Sequence, residues 1–304
     1  MKKIITICGP TGIGKTGFAI AIAQHFNGEI IGADSMQIYK YMDIGTAKPD
    51  PNELKMASHH LVNFLDPKVE YDAGLYAAQA GKVIDSLSEK GRLPIVAGGT
   101  GLYIRALLHG LFRARPVCEK TLSELTRLQG ERGSLFLHEQ LKICDPIAAK
   151  KIHPNDNFRV IRALEFFQTT GQPISNKQMA HDFKESKYQS LTIGLRMDRK
   201  QLYARINQRV DIMIRQGLLN EVNSLIERGY SLDLKPMQSI GYRHMGMFLK
   251  QEVDFDEAVR LLKRDTRRYA KRQFTWFNRE KDLIWLEPSQ TKTAIELIEK
   301  FLKK

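Results

Sequence analysis

Short apolar runs rich in β-branched residues alternate along the chain with longer segments in which apolar residues recur every three or four positions. The short runs predict buried strands, and the longer segments predict helices with one apolar face. Strands are expected at residues 4–8, 29–33, 94–97, 191–195 and 283–286, and helices at residues 17–26, 73–90, 102–109, 199–215, 218–228, 256–277 and 291–302. This alternation is typical of an α/β fold whose parallel sheet carries helices on both faces.

The rhythm changes between residues 115 and 187, where strand-like runs disappear. Helices are expected there at residues 119–129, 135–144, 146–152, 158–169 and 174–183. We therefore predict that residues 1–114 and 188–304 form the two parts of one core, interrupted by a helical insertion domain at residues 115–187.

The first predicted strand leads into a turn that matches the phosphate-binding (P-loop) pattern G-x-x-x-x-G-K-[ST] in full. The turn consists of Gly9, Pro10, Thr11, Gly12, Ile13, Gly14, Lys15 and Thr16. In such a loop, backbone N–H groups and a helix N-terminus surround a phosphate, the lysine reaches its outer oxygens, and the Thr16 hydroxyl can hold Mg²⁺. A chance match is the alternative, and the strand before and helix after the turn disfavour it. The motif is typical of ATP-binding proteins, but it does not identify the phosphorylated ligand.

Two side chains at the ends of other predicted strands should lie at the same edge of the sheet as the loop. Asp34 could ligate Mg²⁺ or act as a general base, and a turn aspartate bonded to local backbone is an equally good alternative. The strand at 94–97 ends in Gly98-Gly99-Thr100, where many nucleotide hydrolases carry an acidic residue. This disfavours nucleotide hydrolysis and directs the Thr100 hydroxyl at a substrate, unless Thr100 only caps the next helix.

Composition narrows the class of protein. Hydrophobic residues make up 42% of the 304 residues, and no apolar run approaches the ~20 residues of a membrane span. The three cysteines are far apart and lack a C-x-x-C pair, which excludes a disulfide framework and a familiar zinc pattern. We expect each cysteine to be a small buried side chain and the protein to be cytoplasmic.

Charge favours a polyanionic partner. The formal net charge is +13, and the stretch from Arg260 to Lys281 contains nine basic residues and only two acidic ones. The basic residues recur at helical spacing on one face, with Tyr269, Gln273 and Trp276 round the other side. A solvated face is the plain alternative, but a stripe of one sign repels itself, which favours a partner rich in phosphate. The aromatic residues could stack on bases or pack in the core.

Several stretches, in order along nearly the whole chain, resemble the tRNA dimethylallyltransferases, also called tRNA isopentenyltransferases. They are the phosphate loop, D-S-M-Q-I-Y at 34–39, M-D-I-G-T-A-K-P at 42–49, H-H-L at 59–61, D-P at 66–67, G-G-T-G-L-Y at 98–103, H-P-N-D at 153–156, R-A-L-E at 162–165, I-G-Y at 240–242 and K-R-Q-F-T-W at 271–276. The phosphate loop is generic, but D-S-x-Q-x-Y followed by D-I-G-T-A-K-P is highly specific. On these motifs the chain is identified as a member of that family.

The resemblance implies transfer of a dimethylallyl group from dimethylallyl diphosphate to N6 of the adenosine just 3′ of the anticodon (tRNA position 37), with release of pyrophosphate. It implies Mg²⁺ as cofactor, the anticodon stem-loop of tRNA and the allylic diphosphate as partners, no membrane partner, and a monomer. The phosphate loop would then hold a leaving diphosphate, and hydrolysis of a nucleoside triphosphate is not part of this reaction.

The resemblance also assigns roles to residues. Asp34 matches the general base and Thr100 the residue at the reacting centre, while the whole phosphate loop and Arg209 would bind the diphosphate and Thr16 the metal. The expected tRNA-binding residues are Asp34, Ser35, Met36, Gln37, Arg159, Arg162, Gln238, Gly241, Tyr242, Arg243, Lys271, Arg272, Gln273 and Trp276. The target base would leave the anticodon-loop stack to enter the crevice.

Three features depart from the family pattern. Asn63 stands where many relatives have Asp, Gln238 stands where some bacterial members have Arg, and residues 117–122 lack an expected basic residue. We expect these departures to alter the grip on RNA and to leave the reaction unchanged.

Three other functions compete with this interpretation. They are a similar transferase acting on a free adenine nucleotide, a small-molecule kinase in which Asp34 activates a hydroxyl, and an RNA-binding switch protein driven by a nucleoside triphosphate. The helical insertion and the basic stripe favour tRNA as the substrate.

Overall fold

The computed structural model describes residues 1–110, 118–181, 186–280 and 282–304. The chain divides into two compact units, a core unit formed by Met1–Leu108 and Ser186–Lys304 and an insertion unit formed by His109–Glu185. The predicted start of the insertion, at residue 115, lies outside the described residues.

In the core unit, the described residues form six strands: β1 (Lys3–Cys8), β2 (Gly28–Gly32), β3 (His59–His60), β4 (Leu93–Gly98), β5 (Gln189–Leu195) and β6 (Leu283–Leu286). The helices before the insertion are α1 (Lys15–His25), α2 (Pro51–Met56), α3 (Ala73–Glu89) and α4 (Gly101–His109). The insertion unit contains α5 (Glu119–Cys144), α6 (Pro146–Lys151), α7 (Asn157–Thr170) and α8 (Ile174–His181). The core unit then resumes with α9 (Arg199–Arg215), α10 (Leu218–Glu227), α11 (Tyr242–Leu249), α12 (Phe255–Phe277) and α13 (Thr291–Lys303).

The six strands form one parallel sheet in the order β3-β2-β4-β1-β5-β6. β1 lies in the middle, and Cys8 at its end is in register with Gly98 of β4 and Gly194 of β5. The segments that follow β1 and β4 therefore leave the sheet side by side. The predicted parallel α/β core is confirmed.

Apolar side chains hold the helices to the sheet. Ile5 and Ile7 of β1 pack in one buried cluster with Phe18 and Ile22 of α1 and with Ile298 of α13. The β-branched residues that marked β1 as a strand are thus the ones that it buries, and burial of such side chains is the main source of stability.

The insertion unit has its own apolar core, which includes Leu137, Leu141, Val160 and Leu164. Gly133, with φ at 83°, interrupts α5 and separates two helical segments, as the predicted break between residues 129 and 135 requires. The predicted end of the last helix, residues 182–183, lies outside the described residues.

Three elements were not expected: α2, β3 and α11. A strand of two residues, His59–His60, is too short to show a period, and it forms because it pairs with β2. The cysteine prediction holds for Cys8, which is fully buried, but Cys118 and Cys144 are only half-buried. Among the described residues, no helix is both long and apolar enough to cross a membrane.

Candidate active site

The phosphate loop leaves the sheet at the end of β1. Its glycines have positive φ angles of 147° at Gly9, 79° at Gly12 and 101° at Gly14, a region that residues with a Cβ rarely adopt. Gly14 is also the N-cap of α1, so the loop runs directly into the helix N-terminus. Backbone N–H groups and partial positive charge are therefore concentrated where an anion can bind.

Lys15 and Arg209 add two cations to the loop. Lys15 Nζ donates a hydrogen bond to the Pro10 carbonyl at 2.8 Å. Burial lowers the pKa of Lys15 to about 8, an effect that Asp34 opposes and Arg209 reinforces. Burial likewise lowers the pKa of the Arg209 guanidinium, again against the attraction of Asp34. Two desolvated cations that share one nearby carboxylate favour a multiply charged anion.

Asp34 follows β2 and forms the local turn that was considered for it. Its Oδ1 accepts hydrogen bonds from the backbone N–H groups of Met36 at 2.9 Å and Gln37 at 3.3 Å, which form a local turn. From the described part of the chain, Oδ2 accepts no hydrogen bond, and the residue lines two adjoining cavities. One oxygen therefore fixes the side chain, and the other is left for chemistry.

Thr100 lies beside Asp34, in the turn between β4 and α4. Its Oγ1 accepts a hydrogen bond from the Ser35 N–H at 3.0 Å, which ties it to the segment that carries Asp34. A Cβ at Gly98 would lie 2.1 Å from the Ala33 carbonyl oxygen, so only glycine lets the ends of β2 and β4 approach this closely. The predicted proximity of Asp34, Thr100 and the phosphate loop is thus a property of the sheet.

Three neighbouring cavities lie around the phosphate loop, and the second and third each adjoin the first. The first, of about 110 Å³, is lined by the loop, Asp34, Gln37 and Arg209. The second, of about 330 Å³, adjoins the first at Thr11, Asp34 and Arg209. Its apolar lining residues are Met36, Ile206, Val210, Met213, Ile240 and Leu262. The third, of about 810 Å³, shares Gly12, Gly14, Thr16 and Arg209 with the first. Arg209 lines all three.

The segment after Asp34 contributes to the walls. Ser35 and Met36 line the second cavity. The Gln37 Nε2 donates hydrogen bonds to the carbonyls of Thr46 at 3.2 Å and Ala47 at 2.9 Å, so this side chain braces the D-I-G-T-A-K-P loop.

Glu221 of α10 organises the same loop, and no motif pointed to it. Its carboxylate accepts hydrogen bonds from the N–H groups of Asp43 at 2.9 Å, Ile44 at 2.7 Å and Gly45 at 3.0 Å, and from the Tyr242 hydroxyl at 2.7 Å. The sequence separation between Glu221 and the loop is 176 to 178 residues, so local sequence carries no signal for this contact.

The segment 238–243 differs in part from expectation. Gln238 is exposed, lines the second cavity and donates to the Leu232 carbonyl at 2.7 Å. Gly241 turns the chain into α11 with φ at 100°. Tyr242 was expected to contact RNA, but its side chain is fully buried and supports the D-I-G-T-A-K-P loop from within.

Asp265 gathers several of the arginines of α12 and its neighbour α11. It accepts from Arg264 Nε at 2.9 Å and from Arg243 Nη2 at 2.5 Å, and Arg268 Nη1 lies 3.6 Å away. The hydrogen bond from Arg264 is the main cause that holds the pKa of Asp265 well below its usual range. Part of the basic stripe is therefore paired and fixed in orientation.

The K-R-Q-F-T-W segment is divided between surface and interior. Lys271 and Arg272 are exposed, and Arg272 lines the second cavity. Gln273 was expected to bind tRNA, but it is buried and both ends of its amide bond to the protein. Trp276 is half-buried, and the Arg105 guanidinium lies 4.7 Å from its ring centroid.

Arg159 and Arg162 both lie on α7 of the insertion unit. The Arg159 side chain is 64% exposed and lies 3.3 Å from Asp156, so it remains accessible. Arg162 forms an ion pair with the buried Glu165 of the same helix.

Asn63 has a clear structural role at one of the departures from the family pattern. With φ at 56° it occupies the left-handed region that asparagine tolerates, and its Oδ1 accepts a hydrogen bond from Lys48 Nζ at 2.9 Å. At residues 117–122, the position of Val117 lies outside the described residues.

Comparisons with known proteins point to one family. A family model described as IPP transferase matches residues 37–280. A tRNA dimethylallyltransferase of Desulfosudis oleivorans is 49% identical over 99% of this chain and 96% of its own length, and one of Acetivibrio thermocellus is 47% identical over 95% and 93%.

Solved structures give the same result. The full-length tRNA isopentenylpyrophosphate transferase of Bacillus halodurans superposes with a TM-score of 0.75 at 38% identity, over 100% of this chain and 97% of that one. A eukaryotic dimethylallyltransferase acting on tRNA superposes with a TM-score of 0.84 at 30% identity, over 100% and 80%. Because relatives match over nearly their full length both in sequence and in structure, the chain belongs to the IPP transferase family, that of the tRNA dimethylallyltransferases.

Proposed function

We propose that this chain transfers the dimethylallyl group of dimethylallyl diphosphate to N6 of the adenosine at tRNA position 37 and releases pyrophosphate. The observation that carries the proposal is the place of Asp34, which lines both the cavity of the phosphate loop and the larger cavity with apolar walls. The first suits a diphosphate, and the second has room for a five-carbon allyl group or a purine base. The reacting atoms would meet at Asp34.

In this reaction N6 of the adenine attacks C1 of the allyl group, and the bond from C1 to the diphosphate oxygen breaks with its electron pair. Asp34 Oδ2 accepts the N6 proton, while Oδ1 keeps the side chain in place through the local turn. Lys15, Arg209 and the N–H groups of the phosphate loop bind the charge that develops on the diphosphate. Thr100 lines none of the three cavities, and its part in the proposal is to accept a hydrogen bond from the Ser35 N–H beside Asp34.

Mg²⁺ suits the first cavity. The Thr16 hydroxyl lines it and would hold the ion, since Mg²⁺ prefers oxygen donors. Among the described residues no group of three or more His, Cys, Asp or Glu side chains forms a metal site, which agrees with an ion held largely by water and the diphosphate. Once bound, Mg²⁺ would neutralise charge on the leaving group.

The tRNA would bind along the exposed basic residues of α12. Arg272 supports this because it is exposed and also lines the second cavity, where a flipped base would enter. We also propose that the protein acts as a monomer, as the family resemblance implies. Its three free cysteines are in keeping with a cytoplasmic enzyme, and we propose no membrane partner.

One experiment separates the candidate functions. The protein and Mg²⁺ are mixed with dimethylallyl diphosphate and unmodified tRNA, then with dimethylallyl diphosphate and AMP, then with ATP alone. We expect prenylated tRNA and pyrophosphate in the first mixture and no turnover in the third. Adducts on AMP but not on tRNA would show a transferase for free nucleotides, and ATP turnover without prenyl transfer would indicate a kinase or a switch.

A further inference from the structure

A buried amide connects the phosphate loop to the turn that carries Thr100. Gln273, in the C-terminal half of α12, is 5% exposed. Its Oε1 accepts a hydrogen bond from the Thr11 N–H at 2.8 Å, and its Nε2 donates one to the Gly99 carbonyl at 2.9 Å. The two partners belong to the loops that follow β1 and β4, so one side chain bridges two neighbouring loops of the site.

The turn is shaped to receive α12. A Cβ at Gly99 would lie 2.3 Å from Gln273 Nε2, and a Cβ at Gly101 would lie 2.1 Å from Trp276 Nε1. Both glycines therefore admit side chains of one helix, which explains why the motif carries glycine at these two positions. Gln273 and Trp276 are three residues apart and so share a face of α12.

The adjacent positions of the same helix face solvent. Lys271, Arg272 and Thr275 are exposed, while Gln273 between them is buried. The same helix, α12, therefore presents positive charge to solvent on one side and contacts the loops of the site on the other.

Direct recognition of RNA by Gln273 is disfavoured. Gln273 does not line the second cavity, so to reach an RNA base there the side chain would break both hydrogen bonds and leave the Thr11 N–H and the buried Gly99 carbonyl without their partner. An unsatisfied buried polar group is costly, and the amide can satisfy both groups only where it stands.

We propose that Gln273 is a positioning residue, which sets the spacing between the phosphate loop and the Gly99–Thr100 turn so that the bound diphosphate and the reacting centre are aligned. This inference rests on the proposed prenyl transfer. Gln273 lines the cavity proposed for the diphosphate, but its amide oxygen and nitrogen are already bonded to Thr11 and Gly99, so we infer that it acts through these two residues.

The first test replaces Gln273 by methionine, which has a similar shape and neither hydrogen bond. We expect kcat at saturating tRNA and dimethylallyl diphosphate to fall by about 10-fold to 100-fold, as misplacement of reacting groups by a fraction of an ångström to an ångström does. The Kd for tRNA and its salt dependence should stay as in the wild type. Gln201→Met, at an exposed position of α9, is the matched control and should leave kcat unchanged.

A second variant, Gln273→Glu, adds a measurement that a purely structural role would leave unchanged, the pH dependence of kcat. A carboxylate can accept from the Thr11 N–H but cannot donate to Gly99, whereas the protonated acid restores both bonds. The ratio of its kcat to that of the wild type should therefore rise as the pH falls. Circular dichroism and thermal unfolding establish that this variant is folded, so it also tests the proposal if Gln273→Met does not fold.

A double-mutant cycle with Gly99→Ala completes the test, because the added methyl group displaces the Gln273 amide. The double variant should be no slower than the slower single variant, since both substitutions break the same hydrogen bond. A wild-type kcat in Gln273→Met, a flat pH ratio in Gln273→Glu, or a weaker tRNA Kd with kcat intact would each overturn the inference. Absence of prenyl transfer by the wild-type protein would instead reject the proposed function.

Discussion

The two carboxylate oxygens of Asp34 have different surroundings, and we propose different roles for them, with Oδ1 holding the turn and Oδ2 accepting the proton. Oδ1 is held by the N–H groups of Met36 and Gln37, and the residue lines both cavities of the reaction. The short side chain therefore needs no further residue to orient it. This division allows a substitution that removes the base and keeps the turn.

Asp34→Asn is expected to keep the fold and lose the base, because the amide oxygen still accepts from Met36. We predict a fall in kcat of about 10²–10⁴, the range for loss of a general base, with tRNA affinity nearly unchanged. Single-turnover rates and a filter-binding Kd measure the two quantities. Asp85→Asn, on the exposed face of α3, serves as the control, and near-wild-type turnover of Asp34→Asn would contradict the role.

We expect Lys15 to make diphosphate binding depend on pH. Because burial lowers its pKa to about 8, the free site loses the Lys15 charge as the pH rises through that value, and a bound diphosphate favours the protonated form. The Kd for pyrophosphate with Mg²⁺ should therefore increase by about tenfold between about pH 7 and pH 9 through this group.

Lys15→Arg provides the matched comparison, since a guanidinium stays charged throughout this range. Pyrophosphate itself titrates identically in both experiments, so the ratio of the wild-type Kd to the variant Kd isolates Lys15. Isothermal titration calorimetry measures both constants. A ratio that does not change with pH would show that Lys15 is already charged over the whole range.

Among the elements, α10 and α12 have a larger part in the site than their sequences indicate. Through Glu221, α10 holds the N–H groups at 43–45, and through Gln273, α12 joins two loops at the ends of β1 and β4. Both helices thereby fix loops that lie far from them in the chain.

Glu221→Gln should destabilise the protein by about 2 kcal/mol, because hydrogen bonds to a charged group contribute about 1.5–3 kcal/mol. In the wild type, four donors share the two carboxylate oxygens of Glu221. The glutamine amide has only one oxygen to accept from them, and its NH₂ group would point at N–H groups. Urea unfolding measures the change. Glu227→Gln, exposed at the end of the same helix, should change the free energy of unfolding much less, and equal losses would contradict the role of Glu221.

Local patterns in the sequence were sufficient for most elements of the core. The apolar runs and the glycine loop predicted five of the strands and the turn into α1, because strand period, turn and helix start depend on neighbouring residues. The pair His59–His60 and the helix α11 were missed, since neither has enough periodic positions.

In the site, too, some features could be predicted from sequence patterns and others could not. Asp34, Thr100 and the loop could be placed together because parallel strands end at one edge. Gln273 and Tyr242 were assigned to RNA through the family resemblance, and a motif does not indicate whether a polar or aromatic side chain within it is buried. The burial of Gln273 depends on Gly99, which lies 174 residues away in the chain. The burial of Tyr242 depends on Glu221 of α10.

Over the whole molecule, excess positive charge is the property that suits tRNA. The basic stripe of α12 is partly neutralised by Asp265, which leaves Arg268 at 63% side-chain exposure and Lys271 exposed. Both of these residues are accessible to the phosphates of a bound RNA.

Replacing both Arg268 and Lys271 by glutamine should lower the slope of log Kd for tRNA against log salt by up to about one unit for each phosphate that is no longer neutralised. The reason is that each neutralised phosphate releases a counterion. The double variant Lys300→Gln, Lys303→Gln on α13 removes the same charge elsewhere and should leave the slope nearly unchanged. Equal slopes in all three proteins would show that the stripe is only a solvated face.

The phosphate loop is proposed to hold a diphosphate that leaves as the RNA base is alkylated. The most direct measurement counts both products in one reaction of the protein, Mg²⁺, dimethylallyl diphosphate and an unmodified tRNA transcript, with nucleoside mass spectrometry for the RNA and an enzymatic assay for pyrophosphate. We predict one pyrophosphate for each N6-dimethylallyl adenosine at position 37, and none without tRNA. Pyrophosphate release with unmodified RNA, or alkylation at another position, would contradict the account.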